Sequence, residues 1–109
     1  MSGKGRKAAN EAVFREVNER IEELQRRFSV AGDELLQIVC ECDELNCMTH
    51  ISVSVGTYER VRGDSATFLV APGHEDPSVE EVLERDDGYF VVRKRAGEAR
   101  RIAEASDPR

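Results

Sequence analysis

Apolar positions in the first 30 residues recur with a helical period. Phe14, Val17, Ile21, Leu24 and Phe28 follow at spacings of three and four, which predicts a helix over about residues 8–29. In the pairs Glu11/Arg15, Glu16/Arg20, Glu22/Arg26 and Glu23/Arg27 the acid precedes the base by four residues, the orientation that supports a helix. Asn10 or a residue before it is the candidate cap. Val30-Ala31-Gly32-Asp33 then turns the chain. The apolar seam is narrow, as in a short coiled coil. The first expectation is that it packs on the domain's own sheet. The second is that Phe14, Val17, Ile21, Leu24 and Phe28 form a surface for a protein partner or for self-association.

Further along, the period changes to two. LLQIVCEC (35–42) is rich in branched residues and predicts a strand. HISVSV (50–55) alternates polar with apolar, so it predicts a half-buried strand. Gly56-Thr57 interrupts the pattern, and TYERVR predicts a short helix with Thr57 as cap and Glu59 in its first turn. ATFLVAP (66–72) is a further strand, closed by Pro72-Gly73. VEEVLER and YFVVRKR flank Asp86-Asp87-Gly88, a hairpin signal with glycine at a position expected to need positive φ. GEARRIAEAS predicts a short last helix before Asp107-Pro108-Arg109. Together these give an α+β fold: an N-terminal helix, a small mainly antiparallel sheet and a short C-terminal helix. Residues 1–7 read as a flexible basic tail, and residues 8–109 as a single domain.

At 109 residues the chain makes one domain that buries only about 60–70% of its unfolded surface. A core that small gains from a metal crosslink. No apolar run approaches the roughly 20 residues of a membrane span, and no apolar stretch follows the basic start as in a secretory signal. The expected location is therefore cytoplasmic, where thiols stay reduced. An odd count of three cysteines also argues against a disulfide framework.

Charge is segregated. Residues 1–30 carry 7 basic and 5 acidic side chains, residues 31–90 carry 3 and 14, and residues 91–109 carry 6 and 3. The acidic middle repels phosphates, so strong nucleic-acid binding is not expected. A nucleic-acid-associated regulator working through Lys4, Arg6, Lys7 and Arg93-Lys94-Arg95 stays as an alternative.

All three cysteines and one of the two histidines lie in CECDELNCMTH (40–50). On an ideal strand the Cα atoms of Cys40 and Cys42 would be roughly 6.6 Å apart on one face. Two thiolates on one zinc sit about 3.8 Å apart, a gap that side-chain rotation closes. Asp43-Glu44-Leu45-Asn46 is a short polar loop in which asparagine can take a left-handed turn, carrying Cys47 back to the pair. Three corners of a tetrahedron follow. The fourth is His74, in the polar loop APGHEDP, or His50, at the start of a strand, or water or an acid. A closed set of three cysteines and a histidine is the structural kind of zinc site.

A redox centre fits less well. The spacing is not C-x-x-C, and Glu41, Asp43 and Glu44 disfavour the thiolate. A bound dication reverses that cost. The acids then need solvent or basic partners, for which Arg93 to Arg95 are candidates.

NEAVFREVNER (10–20), CEC with Cys47, YERVR (58–62), APGH (71–74), YFVVRK (89–94) and DPR (107–109) together resemble a family of small uncharacterised bacterial proteins, mostly actinobacterial. Members of that family usually carry glycine where Asp43 stands. They keep the Pro-Gly-His but not a histidine at the position of His50, which implies His74 as the fourth ligand. The resemblance implies no activity.

Glu80, Glu81, Glu84, Asp86 and Asp87 alternate with apolar residues, the pattern of a solvated sheet face. No nucleophile elbow or phosphate loop occurs, and Arg62-Gly63-Asp64 reads as a helix-ending turn. No catalytic residue and no small-molecule substrate is indicated. The expectation is a non-enzymatic binding or regulatory module with structural Zn²⁺ held by Cys40, Cys42, Cys47 and His74. A redox- or zinc-responsive switch is the alternative.

Overall fold

The computed structural model describes residues 3–28, 35–42, 44, 47 and 49–109, with residues 3–9, 27 and 28 described by their backbone alone. The elements run α1 (Gly3–Phe28), β1 (Leu35–Val39), β2 (His50–Ser54), α2 (Val55–Arg62), β3 (Thr67–Val70), β4 (Glu80–Arg85), β5 (Phe90–Lys94) and α3 (Glu98–Ala105). The expected turn at 30–33, Asp43, Leu45, Asn46 and the side chains of Lys4, Arg6, Lys7 and Phe28 lie outside the described residues. Among those described, no helix is long and apolar enough to cross a membrane.

The fold is α+β, as the sequence predicts, with its strands in two antiparallel sheets. One pairs β1 with β2, setting Leu36 against Val53 and Val39 against His50. The other has the order β3-β5-β4, with a register shift between Val82 and Glu84. Alternation along β1 and β2 sends Leu36, Ile38, Ile51 and Val53 inward. They meet Tyr58, Phe68, Leu69, Val70, Val91 and Val92 in one core.

Three local expectations are corrected. The strand expected over 35–42 ends at Val39, so Cys40 and Cys42 lie beyond it. The cap of α2 is Ser54, whose Oγ accepts from the Thr57 N–H at 3.1 Å, and Gly56 lies inside the helix. Serine at a strand end satisfies an orphan donor of the next helix, so one residue serves both elements. Positive φ occurs at Gly73 and Gly97 and not at Gly88.

The largest departure concerns α1. Its face towards the body is polar: Glu11, Arg15, Asn18 and Glu22, at helical spacings of four, three and four, are buried, and so is Glu19. Val13, Val17 and Leu24 face outward, 58%, 41% and 56% exposed. Phe14 is half-buried, and Ile21 is half-buried against the core. The seam is therefore divided: Ile21 packs against the core as first expected, and Val17 and Leu24 do not.

Burying charge is tolerated only where it is paired and hydrogen-bonded, and most of these groups are, although Arg15 Nε and Arg62 Nε find no hydrogen-bond partner. Lys94 Nζ lies 2.5 Å from both Glu11 and Glu80. Arg15 donates to Ser65 O at 2.6 Å and to Ala103 O, and its guanidinium stacks 4.5 Å above the Phe68 ring. Glu19 accepts from Tyr58 Oη at 3.0 Å and from Arg109 at 2.6 Å. Buried Arg62 donates to Thr67 O and pairs with Asp107 at 2.7 Å. Docking of α1 thus rests on a polar network, which frees its apolar stripe.

Candidate metal centre

Cys40, Cys42, Cys47 and His74 converge, with one donor atom from each lying within 4.8 Å of all the others. Three pieces of chain bring them together. Cys40 follows the end of β1, and its N–H donates to Thr49 O at 3.0 Å, extending the β1–β2 pairing one step. Cys47 is drawn in by its N–H donating to Glu44 O at 3.0 Å. His74 closes the turn Ala71-Pro72-Gly73-His74, where the His74 N–H donates to Ala71 O at 2.9 Å and Gly73 has φ +88°. Proline second and positive-φ glycine third make this a type II turn, which fixes the histidine backbone after β3.

The geometry suits a tetrahedral ion. With Zn–S near 2.3 Å and Zn–N near 2.0–2.1 Å, sulfur and nitrogen on one zinc lie about 3.5–3.6 Å apart. Cys40 Sγ and Cys47 Sγ are each 3.6 Å from His74 Nδ1. The arrangement can therefore hold a metal ion, and three sulfurs with one imidazole nitrogen is a donor set that favours zinc. His50 sits exposed on β2 across from Val39 and is not part of the cluster.

Each sulfur also has a hydrogen-bond donor. The Ala71 N–H donates to Cys40 Sγ at 3.1 Å. The Glu44 N–H serves Cys42, and the Thr49 N–H and hydroxyl serve Cys47. Such donors stabilise thiolate and orient it, the role that groups behind metal ligands play. Burial pushes the Cys40 and Cys42 thiols up. Burial acts the same way on half-buried Cys47, but hydrogen bonds from Thr49 and contacts with Cys42 and His74 outweigh it and bring the thiol down to about 7. All three cysteines are free.

The acidic neighbours are resolved differently from expectation. Arg93 pairs with Asp64 at 3.0 Å, Lys94 with Glu11 and Glu80, and Arg95 reaches Pro77 O, so none of the three serves the cluster. Glu41 is fully buried and turned away from it. Its Oε1 accepts from the Leu69 N–H at 2.9 Å and its Oε2 from Asn18 Nδ2 at 2.7 Å. Burial raises its pKa against the pull of those bonds and of Arg62 and Arg15. Glu44 is exposed, and Asp43 lies outside the described residues.

Sequence reasoning placed the four candidate ligands but missed Asn18 and the inward turn of Glu41. A polar stripe at 11, 15, 18 and 22 was the available signal, and the stronger apolar seam masked it. Of the candidate partner surface, Val17 and Leu24 are exposed, and Phe14 and Ile21 are half-buried. The chain matches no protein-family model, no curated protein and no solved structure.

Proposed function

We propose that this chain is a small non-enzymatic module in which a structural zinc, held by Cys40, Cys42, Cys47 and His74, supports a surface on α1 that engages a protein partner. One observation carries the metal half of this reading: the 3.6 Å spacing of two sulfurs from His74 Nδ1, the separation that tetrahedral zinc imposes. Four protein donors leave no open position for substrate or water, which favours a structural over a catalytic role. The zinc crosslinks the end of β1 to the loop after β3, and binding free energy then becomes folding free energy.

The partner half rests on α1. A helix docked by its polar face, with Val13, Val17 and Leu24 outward, presents an apolar stripe of the kind that lies against another helix. The occupant is an apolar helix of a partner or of a second copy. Binding of nucleic acid through the basic ends is a poorer fit, because Lys94 is buried and Arg93 is paired. A zinc-responsive thiol switch is the second reading, favoured by Cys47, which is half-buried with a lowered thiol pKa.

Sedimentation velocity and partner capture with wild type and with Val17→Glu/Leu24→Glu test the surface. Association or capture lost in the variant, with zinc content unchanged, is the expected result. Association and capture equal in the two proteins would remove α1 from the reading. Cobalt substitution tests the centre: the intense visible bands of tetrahedral thiolate-bound Co²⁺ should appear in wild type and weaken in His74→Ala.

A further inference from the structure

Asn18 occupies an unusual place. It lies in the middle of α1, fully buried, and spends its whole carboxamide on the segment that carries the first two cysteines. Its Nδ2 donates to Val39 O at 2.8 Å, and its Oδ1 accepts from the Val39 N–H at 2.8 Å. This is the pair of bonds a neighbouring strand would supply, made here by one side chain. Val39 is the last residue of β1 and directly precedes Cys40. The same Nδ2 reaches Glu41 Oε2 at 2.7 Å.

Glu41 continues the connection. It stands between Cys40 and Cys42, and its N–H donates to Leu69 O at 2.8 Å while its Oε1 takes the Leu69 N–H at 2.9 Å. Residues 39–41 are thereby clamped from one side by α1 and from the other by β3. Two residues beyond Leu69, the Ala71 N–H donates to Cys40 Sγ, and Ala71 opens the turn that delivers His74. None of these hydrogen bonds involves the outer face of α1, yet the helix carrying the apolar stripe is tied directly to the backbone that sets two ligands.

From this we infer that Asn18 and Glu41 are positioning residues of the metal centre, through which zinc occupancy and the seating of α1 are thermodynamically linked. The inference rests on the zinc reading and adds to it a route from metal to partner surface. Zinc fixes Cys40 and Cys42, which holds Val39 and Glu41 where Asn18 can bind them, and that seats the helix. By linkage the converse holds: a helix that loses its grip on residues 39–41 lowers zinc affinity by the same factor. Couplings of this kind span about 5- to 150-fold.

The test compares equilibrium zinc release to a chromogenic chelator from wild type, Asn18→Leu and Tyr58→Phe, with hydrogen exchange read peptide by peptide with and without Zn²⁺. Tyr58→Phe is the control, since it removes a bond between the body and α1 at Glu19 without touching residues 39–41. Asn18→Leu should hold zinc at least about five-fold more weakly against the chelator, and Tyr58→Phe at near the wild-type affinity. Removing zinc from wild type should raise exchange in α1 more than in the β4–β5 hairpin. Zinc affinities equal in Asn18→Leu and wild type, or lowered as much by Tyr58→Phe, would overturn the route through Asn18 while leaving the zinc centre intact.

Should Asn18→Leu fail to fold, Asn18→Asp sets a carboxylate against Glu41 at unchanged volume. Adding Glu41→Gln restores a donor–acceptor pair, so the double variant should hold zinc more tightly than Asn18→Asp alone. No gain in the double variant would overturn the inference. A wild type that takes up no zinc would instead defeat the metal reading itself, a distinct outcome.

Discussion

Replacing Lys94 by methionine tests the polar docking of α1 most sharply. The Lys94 side chain is 1% exposed and Nζ lies 2.5 Å from a carboxylate oxygen of both Glu11 on α1 and Glu80 on β4, themselves 3% and 2% exposed. Methionine conserves the apolar stem and removes the charge. Two buried carboxylates then face each other across the space the ammonium held. Breaking a buried pair by removing one partner costs about 3–5 kcal/mol. A domain of this length has about 5–15 kcal/mol in all, so the variant should lose a fifth or more of its stability, a Tm drop of about 15 °C.

The pH dependence has a definite sign. Burial pulls the Lys94 pKa down, but Glu11 and Glu80 outweigh it and hold it above the ordinary lysine value. Its stabilisation is therefore complete at neutral pH and is lost only as pH rises through that raised pKa. In Lys94→Met two buried carboxylates repel each other while both are ionised, so the penalty is full at neutral pH and shrinks as pH falls towards about 4 and they take up protons. Urea unfolding across that range gives the measurement. The triple variant Glu11→Leu/Lys94→Met/Glu80→Leu should recover most of the loss, because an apolar replacement of a whole buried ion group is often neutral or better. A penalty below about 1 kcal/mol, the scale of an exposed pair, or one that grows in acid, would refute the reasoning.

Other outcomes follow from single sites. Gly73→Ala adds a methyl group that meets no atom within 4 Å, so only the left-handed backbone at φ +88° opposes it; thermal unfolding should show a loss of about 1–2 kcal/mol, with weaker zinc retention. Tyr58→Phe removes a buried hydrogen bond to Glu19 and should cost about 1–2 kcal/mol in urea unfolding. Glu19 is held below the usual carboxylate range, because hydrogen bonds from Arg109 and Tyr58 outweigh its burial. The stability it contributes should be present at neutral pH and drain away as pH falls below about 4, a loss that Glu19→Gln should reduce in an acid titration followed by circular dichroism.

Period and punctuation made most of the fold legible. Strict alternation in HISVSV marked β2, and the polar Asp86-Asp87-Gly88 turn marked the β4–β5 hairpin. Three cysteines with the Pro-Gly-His turn marked the four donors that the fold brings together. Other features answer to contacts a linear reading does not weigh. Cys40 and Cys42 read as strand residues, but the buried Glu41 carboxylate needs hydrogen-bond donors and finds them in the Leu69 N–H and the Asn18 amide, which draws the segment towards β3. Ser54 fits the strand alternation, and its hydroxyl also caps α2. The orientation of α1 escapes a linear reading for one reason. Apolar periodicity shows where the greasy stripe lies, and it shows the buried face only when burial is apolar. Here Lys94, Ser65, Tyr58 and Arg109, all distant in sequence, supply partners that make a charged face the buried one.

Metal content measured by elemental mass spectrometry, on wild type and His74→Ala purified without chelator, tests the zinc centre most directly. One zinc per chain in wild type, with occupancy and Tm both reduced in His74→Ala and unchanged in His50→Ala, is the result predicted from the Cys40, Cys42, Cys47 and His74 geometry. Wild-type protein with no bound metal and three titrating thiols would contradict it, and the cluster would then be a set of packed thiols.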